Sequence, residues 1–260
     1  MRWILRLTLI LMIATAGVAR AKIVTRTVEY EHGDAQLAGY LAYDDDVEGK
    51  RPGVLVVHEW WGLNDYARRR VRMLAELGYV AFAADMYGEG RATDDPSKAA
   101  AWAGHLRGDV DLWRARAIRG LDILKKQPHT DPDHLAAIGY CFGGSTVLHL
   151  AFGEPALDGV VSFHGGLPIP EEGAKVPTPI LVCHGAEDSH VKPATIRKFQ
   201  TRLDRLGADW LMITYGHAEH SFTNPAADRH GVKGVSYNEK ADRRSWRHMR
   251  GFLEERFTNE

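Results

Sequence analysis

The sequence has few cysteines, no excess of charge of either sign and only one long apolar run. Two cysteines among 260 residues exclude a scaffold held together by several disulfides. The 33 basic and 34 acidic residues nearly balance, which argues against a surface that binds nucleic acid. No repeat and no linker rich in Pro, Gly or Ser divides the chain, so we expect a single domain over residues 22–260.

The one long apolar run lies near the N-terminus and is typical of a secretion signal. Arg2 and Arg6 open this segment, an apolar core covers residues 7–18, and a small-x-small cleavage pattern occupies residues 19–21. The run is shorter than the ~20 apolar residues that a membrane-spanning helix needs. We therefore expect a cleaved signal peptide over residues 1–21, a secreted or periplasmic protein, and no stable membrane association after cleavage.

One turn carries the strongest chemical signal in the chain. The run Gly139-Tyr140-Cys141-Phe142-Gly143 follows a buried apolar strand and precedes a helix rich in small and apolar residues. It has the form of the glycine-bracketed elbow that lifts a nucleophile above the edge of a sheet. Cys141 takes the nucleophile position, where most such enzymes carry serine. The alternative is a loop with a buried structural thiol, because short glycine patterns recur by chance.

An acid and a histidine follow this elbow in the chain order of α/β-hydrolases. Asp188 comes just after an apolar strand that begins at Pro179, and His220 comes after another strand over residues 210–215. Open α/β sheets build their sites at the carboxyl ends of their strands. Each residue alone could be an ordinary turn residue. Three candidates in this order at three strand ends predict one catalytic site.

The two cysteines could instead form a disulfide, which would make Cys141 structural. Cys183 lies inside a strand, and the strand over residues 159–163 should separate it from the elbow. Two strand spacings amount to ~10 Å, whereas bridged Cα atoms lie within ~7 Å of each other. We therefore expect the two thiols to be free.

The remaining pattern predicts an α/β-hydrolase fold with a mostly parallel sheet of about eight strands. Residues 23–30 and 36–43 alternate in polarity, which indicates an antiparallel hairpin at the N-terminus. After this hairpin, apolar strands alternate with amphipathic helices. Such alternation favours helices on both faces of the sheet.

At this point the sequence resembles the dienelactone hydrolases, the cysteine-dependent members of the α/β-hydrolases. The matching runs are spread over nearly the whole chain after the signal: His58-Glu59-Trp60-Trp61-Gly62, Ala84-Asp85-Met86-Tyr87, Gly139-Tyr140-Cys141-Phe142-Gly143-Gly144, His184-Gly185-Ala186-Glu187-Asp188 and residues 217–222. The resemblance implies that Cys141 is the nucleophile, that His220 is the general base and that Asp188 orients the imidazole. We expect neither a cofactor nor a metal ion.

The resemblance also implies that Glu59 has a role that no residue has in ordinary α/β-hydrolases. In the family this carboxylate lies near the resting thiol and helps to convert it to the thiolate when substrate binds. A nearby carboxylate disfavours the thiolate by repulsion, whereas His220 and the helix N-terminus after Cys141 favour it. Glu59 could instead be a surface acid after a strand, but the neighbouring Trp60 and Trp61 favour a cleft wall.

The oxyanion hole should come from the backbone N–H groups of Phe142 and Trp60. We expect aromatic side chains to line the substrate pocket, although several of them could belong to the core instead. These are Trp60, Trp61, Tyr87, Phe142, His164 and Phe222.

The sequence departs from the family pattern at two positions. Members that cleave dienelactone carry two arginines that hold the substrate carboxylate, and Glu89 and Asn224 occupy the matching places here. Arg91 and Arg229 lie close by in sequence without matching those places. A site without a bidentate carboxylate clamp should bind an acidic dienelactone poorly, so we expect neutral esters or lactones to be preferred.

The leading interpretation is a monomeric hydrolase that cleaves a small ester, lactone or thioester through a thioester acyl-enzyme. A thioesterase or carboxylesterase without lactone preference is the nearest alternative. A catalytically silent binding module would have no need for Glu59 beside the triad. A metal site at His217 and His220 is a further alternative, although their spacing falls in a loop after a strand.

Overall fold

A computed structural model describes residues 22–153 and 157–258 of the chain. An antiparallel hairpin opens this part of the chain. The signal peptide expected over residues 1–21 lies outside these residues. No helix within the described ranges is long and apolar enough to cross a membrane.

In the part of the chain that the structure describes, eight strands form one sheet in the order β1-β2-β4-β3-β5-β6-β7-β8. Their bounds are β1 Ile23–His32, β2 Ala35–Asp44, β3 Arg51–Val57, β4 Val80–Ala84, β5 Thr130–Tyr140, β6 Gly159–Phe163, β7 Ile180–Gly185 and β8 Trp210–Tyr215. The pairings of β1 with β2 and of β2 with β4 are antiparallel, and all later pairings are parallel. This topology confirms the α/β-hydrolase fold expected from the sequence.

Within the described residues, six α-helices cover the two faces of the sheet. They are α1 Asp65–Ala75, α2 Pro96–Arg107, α3 Val110–Lys125, α4 Phe142–Ala151, α5 Pro193–Arg205 and α6 Glu239–Thr258, with a 3₁₀ turn at Ala227–His230. Successive side chains of β3 point to opposite faces. Leu55 and Val57 therefore pack in one core, and Val54 and Val56 pack in the other.

The helix α2 was not expected from the sequence, because its apolar face is small. Only Ala99, Ala103 and Leu106 are buried along it. Its start does carry a local signal, since Asp95 accepts a hydrogen bond from the Ser97 N–H and Pro96 occupies the first turn.

The sheet order keeps the two cysteines apart. The elbow follows β5, Cys183 lies in β7, and β6 runs between these two strands. Both cysteines are free thiols.

Candidate active site

The elbow at Cys141 has the backbone geometry that its glycines predict. A Cβ on Gly139 would collide with the Gly143 carbonyl group, and a Cβ on Gly143 would collide with the Val57 carbonyl group. Cys141 itself adopts a φ of 52°, a left-handed conformation that is costly for a residue with a side chain. Helix α4 begins at Phe142, so its N-terminus faces the sulfur. The turn thus holds a half-buried thiol at the positive end of the helix dipole of α4.

His220 and Asp188 form a buried hydrogen-bonded pair. The Nδ1 atom of His220 lies 2.8 Å from Asp188 Oδ2, and the Asp188 side chain has no exposed surface. The carboxylate also accepts a hydrogen bond of 2.9 Å from the His190 N–H. Burial alone would raise the pKa of Asp188, but the hydrogen bonds from His220 and His190 hold that pKa below its usual value.

His220 and Cys141 line the same cavity, and their proximity changes the pKa of His220. Burial alone would lower this pKa, but the negative charge of Cys141 and the bond to Asp188 together raise it to about 10. With Nδ1 bound to Asp188, the Nε2 atom is the nitrogen left to exchange a proton with the sulfur. The structure therefore brings the three sequence-selected residues together in the order sulfur, imidazole, carboxylate.

A short segment after the 3₁₀ turn holds the loop of His220 in place. The His220 N–H donates to the Gly234 carbonyl at 3.2 Å, and the Ser236 N–H donates to the His220 carbonyl at 3.1 Å. These bonds fix the backbone on both sides of the imidazole. His217, three residues earlier, has a side chain that is 94% exposed and pairs with Glu187 at 3.1 Å.

The metal site considered for His217 and His220 has no supporting cluster. Within residues 22–153 and 157–258, no group of three or more His, Cys, Asp or Glu side chains could hold a metal ion.

Glu59 is buried beside the loop of His220. Its Oε2 atom accepts a hydrogen bond of 2.6 Å from the Asn224 side chain, whereas Oε1 has no partner among the described residues. Burial raises the pKa of Glu59, and the nearby Ser221 and Asn224 side chains offset only part of this effect. A carboxyl group with a raised pKa and one free oxygen can hold or release a proton close to the catalytic imidazole. Its role in forming the thiolate stays a prediction.

The two candidate oxyanion donors belong to the elbow and to the loop after β3. Phe142 is the first residue of α4, where backbone N–H groups have no intrahelical acceptor. Trp60 follows β3, and its N–H has no acceptor among the described residues. The Gly143 N–H donates to the His58 carbonyl at 3.1 Å, which ties the loop after β3 to the elbow. Their assignment to an oxyanion hole stays a prediction.

A cavity of about 320 Å³ opens over Cys141 and His220. The other residues of its wall are Trp60, Trp61, Arg107, Ser145, Gly166, His190, Val191, Ser221, Val232 and Val235. Trp60 and Trp61 were expected there from the sequence. The remaining wall residues come from elements that only the folded chain brings together, and no local motif marks them.

Four residues whose side chains the sequence analysis assigned to the pocket lie outside its wall. The Phe142 ring is fully buried and stacks on Trp113. Phe222 is fully buried and packs against Tyr215 and His164 in the core. His164 is also fully buried. Tyr87 lines a separate groove of about 450 Å³, and its hydroxyl donates to the Trp60 carbonyl at 3.1 Å. Aromatic residues near strand ends suit a core as well as a pocket, so the local sequence did not separate the two cases.

The two residues that replace the family's arginines, and the two arginines close to them in sequence, also lie outside the cavity wall. Glu89 pairs with Arg91 at 3.1 Å, and both line the separate groove. Asn224 holds Glu59 instead of facing substrate. Arg229 is exposed in the 3₁₀ turn and is not part of the cavity wall.

The buried side chain of His164 contacts the backbone of the elbow. The Cys141 N–H lies 3.1 Å from His164 Nδ1 and 3.0 Å from the Phe163 carbonyl oxygen. The other ring nitrogen of His164 lies 2.7 Å from the Thr223 hydroxyl, which lies 2.6 Å from the Tyr66 hydroxyl. Burial, together with the charges of His220 and Arg70, lowers the pKa of His164 well below its usual value. A neutral His164 with its proton on Nε2 therefore fits both contacts.

We expect His164→Leu to lower kcat about tenfold with little change in KM, because the Cys141 backbone loses an acceptor and the sulfur shifts. His164→Gln should retain more activity, since its amide can accept one hydrogen bond and donate another. Steady-state kinetics with para-nitrophenyl acetate, together with the Tm of each variant, checks this expectation. Equal kcat in both variants at equal Tm would contradict it.

A mostly parallel sheet with nucleophile, acid and histidine candidates after β5, β7 and β8 is the architecture of an α/β-hydrolase. The model of the dienelactone hydrolase family matches residues 37–257 of this chain. Protein usf of Aquifex pyrophilus is 31% identical over 210 residues, which cover 76% of this chain and 86% of that protein.

Two solved structures are also similar. The structure called m3DLH has a TM-score of 0.87 and 44% identity, covering 90% of this chain and 99% of that one. The metagenomic enzyme P91, a dienelactone hydrolase-like promiscuous phosphotriesterase, has a TM-score of 0.86 and 40% identity with the same coverage. The chain belongs to the dienelactone hydrolase family and is an ester or lactone hydrolase.

Proposed function

We propose that this enzyme hydrolyses small carboxylic esters or lactones through a covalent thioester on Cys141. The observation that carries the proposal is the joint placement of Cys141 and His220 in one cavity, with His220 bound to buried Asp188 at 2.8 Å. A structural thiol would need neither this pair nor an opening to solvent. The size of the cavity, about 320 Å³, suits a small substrate.

The acylation step begins with proton transfer from Cys141 to Nε2 of His220. The thiolate attacks the ester carbonyl carbon, and the resulting oxyanion accepts hydrogen bonds from the N–H groups of Phe142 and Trp60. The tetrahedral intermediate collapses when the bond to the leaving oxygen breaks. His220 then gives its proton to that oxygen, which leaves a thioester on Cys141 and a free alcohol.

Deacylation repeats these steps with water. His220 removes a proton from the water, whose oxygen attacks the thioester carbonyl. The carbon–sulfur bond breaks, the acid leaves, and Cys141 departs as a thiolate that is paired again with protonated His220. Asp188 keeps the imidazole in one orientation and stabilises its positive charge in both halves of the cycle.

An activity screen with neutral aryl esters, lactones and thioesters, followed by mass spectrometry of the quenched enzyme, tests this function. We expect turnover of esters or lactones and a mass increase equal to the acyl group on the peptide that contains Cys141. Preference for thioesters alone would favour the thioesterase alternative. Absence of turnover and of acylation would favour a binding module and overturn the proposal.

We further propose that the enzyme acts outside the cytoplasm as a monomer, without nucleic acid or membrane partners. The pattern of residues 1–21 supports export with removal of the apolar segment, and the balanced charge of the chain argues against a nucleic-acid partner. Fractionation and N-terminal sequencing of the product test export, with an N-terminus at Lys22 expected. An uncleaved cytoplasmic product would contradict it.

A further inference from the structure

The wall of the catalytic cavity contains a full positive charge and no carboxylate. Arg107, the last residue of α2, lines the same cavity as Cys141 and His220. Its guanidinium lies over the Phe142 ring, 5.7 Å from the ring centroid. Within residues 22–153 and 157–258, no acidic side chain pairs with Arg107.

The position of Arg107 is set by packing of the helix that carries it. Trp102 of α2 packs against the Tyr87 ring, with 5.6 Å between the ring centroids. Tyr87 in turn donates to the carbonyl of Trp60, the residue whose N–H is a candidate oxyanion donor. A single chain of contacts thus holds α2 beside the oxyanion hole. The long side chain of Arg107 reaches the cavity from this fixed helix.

Three other basic side chains near the two cavities already have partners. Arg91 pairs with Glu89 in the separate groove. Arg116 donates to the Met86 carbonyl at 2.9 Å. His190, which does line the cavity, has its Nε2 atom 3.2 Å from the Lys233 carbonyl oxygen. Arg107 is therefore the guanidinium that remains available to a group bound beside the nucleophile.

We propose that Arg107 binds an anionic substituent, such as a carboxylate, on the acyl or the leaving part of the ester. The guanidinium presents several donors to such a group, and the absence of acidic wall residues removes competition for them. This inference rests on the proposed ester hydrolysis. It also reverses the sequence-based expectation that neutral substrates are preferred, because that expectation took no account of a helix that the sequence did not reveal.

Two matched substrate pairs test the proposal. Para-nitrophenyl hexanoate and the mono-para-nitrophenyl ester of adipic acid differ by an anion on the acyl part. 4-Acetoxybenzamide and 4-acetoxybenzoate differ by an anion on the leaving part. For at least one pair, Arg107→Gln should lower the ratio of kcat/KM for the anionic substrate to that for the neutral one about three- to tenfold. Arg107→Glu should lower this ratio further, and Arg107→Lys should retain part of the wild-type preference for the anionic substrate.

The matched control is Arg91→Gln, which removes a guanidinium from the separate groove and should leave both ratios unchanged. The wild-type preference for the anionic substrate should also weaken as salt is added, since Arg107 is exposed. The enzyme could hydrolyse neutral esters while the Arg107 variants leave the ratio of kcat/KM values unchanged in both pairs. That result would overturn this inference alone. Failure to hydrolyse any ester would instead overturn the proposed function.

Discussion

Cys141→Ala should abolish hydrolysis of para-nitrophenyl acetate, because no other nucleophile occupies the elbow. The sulfur lies at the N-terminus of α4 and shares its cavity with His220. Removing a covalent nucleophile leaves only the binding and oxyanion contributions to the rate. Cys141→Ser should keep weak activity at most, since the hydroxyl is harder to deprotonate than the thiol. Initial rates over a range of enzyme concentrations measure both effects.

The second cysteine provides the control. Cys183 is fully buried in β7, burial raises the pKa of its thiol to about 12, and the Tyr215 hydroxyl donates to its sulfur. Such a thiol is neither ionised at neutral pH nor open to substrate. Cys183→Ala should therefore keep most of the activity while lowering the Tm, because it creates a small cavity. Equal loss of activity in the two alanine variants would show that the elbow assignment is wrong.

His220→Ala and Asp188→Asn should each lower kcat by a factor of about 10²–10⁴, the range observed for a general base and its positioning partner. His220 is the proposed base and lines the same cavity as Cys141, and its Nδ1 atom lies 2.8 Å from Asp188 Oδ2. Asparagine keeps the shape of Asp188 but removes the charge that stabilises the protonated imidazole. The rates of both variants with para-nitrophenyl acetate, at saturating substrate, give the comparison.

His217→Ala is the matched control for the histidine. His217 lies three residues from His220 in the same loop, but its side chain is 94% exposed and pairs with Glu187. We expect its removal to change kcat by less than about threefold, since an exposed contact between two polar side chains contributes little. An essential His217 together with a dispensable His220 would place the catalytic base three residues earlier than the structure indicates.

The candidate triad could be predicted because each member carries a local signal. The glycines on either side of Cys141 are required where β5, α4 and the end of β3 approach closely, and this requirement is visible in the sequence. Asp188 and His220 follow apolar runs that could be assigned to strands. Parallel strands bring their carboxyl ends to one edge of a sheet, so the order of these runs along the chain was enough to place the residues together.

The pocket could not be predicted in the same way. His164 directly follows β6, and Phe222 lies in the loop of His220 after β8, yet both are fully buried in the core. Nothing in the sequence indicates whether an aromatic side chain at such a position packs in the core or faces the cavity. That choice depends on the volume left by neighbouring elements, such as the space against Tyr215.

The sequence by itself determined the strand order along the chain, the elbow and the order of nucleophile, acid and histidine, because these features depend on local periodicity and on glycine sterics. Only the tertiary structure decided that Asn224 binds Glu59 and that Arg107 reaches the cavity wall. Asn224 and Glu59 are 165 positions apart, and Arg107 belongs to a helix with a small apolar face. Contacts of this kind depend on how whole elements pack across the sheet, and no short stretch of sequence encodes that packing.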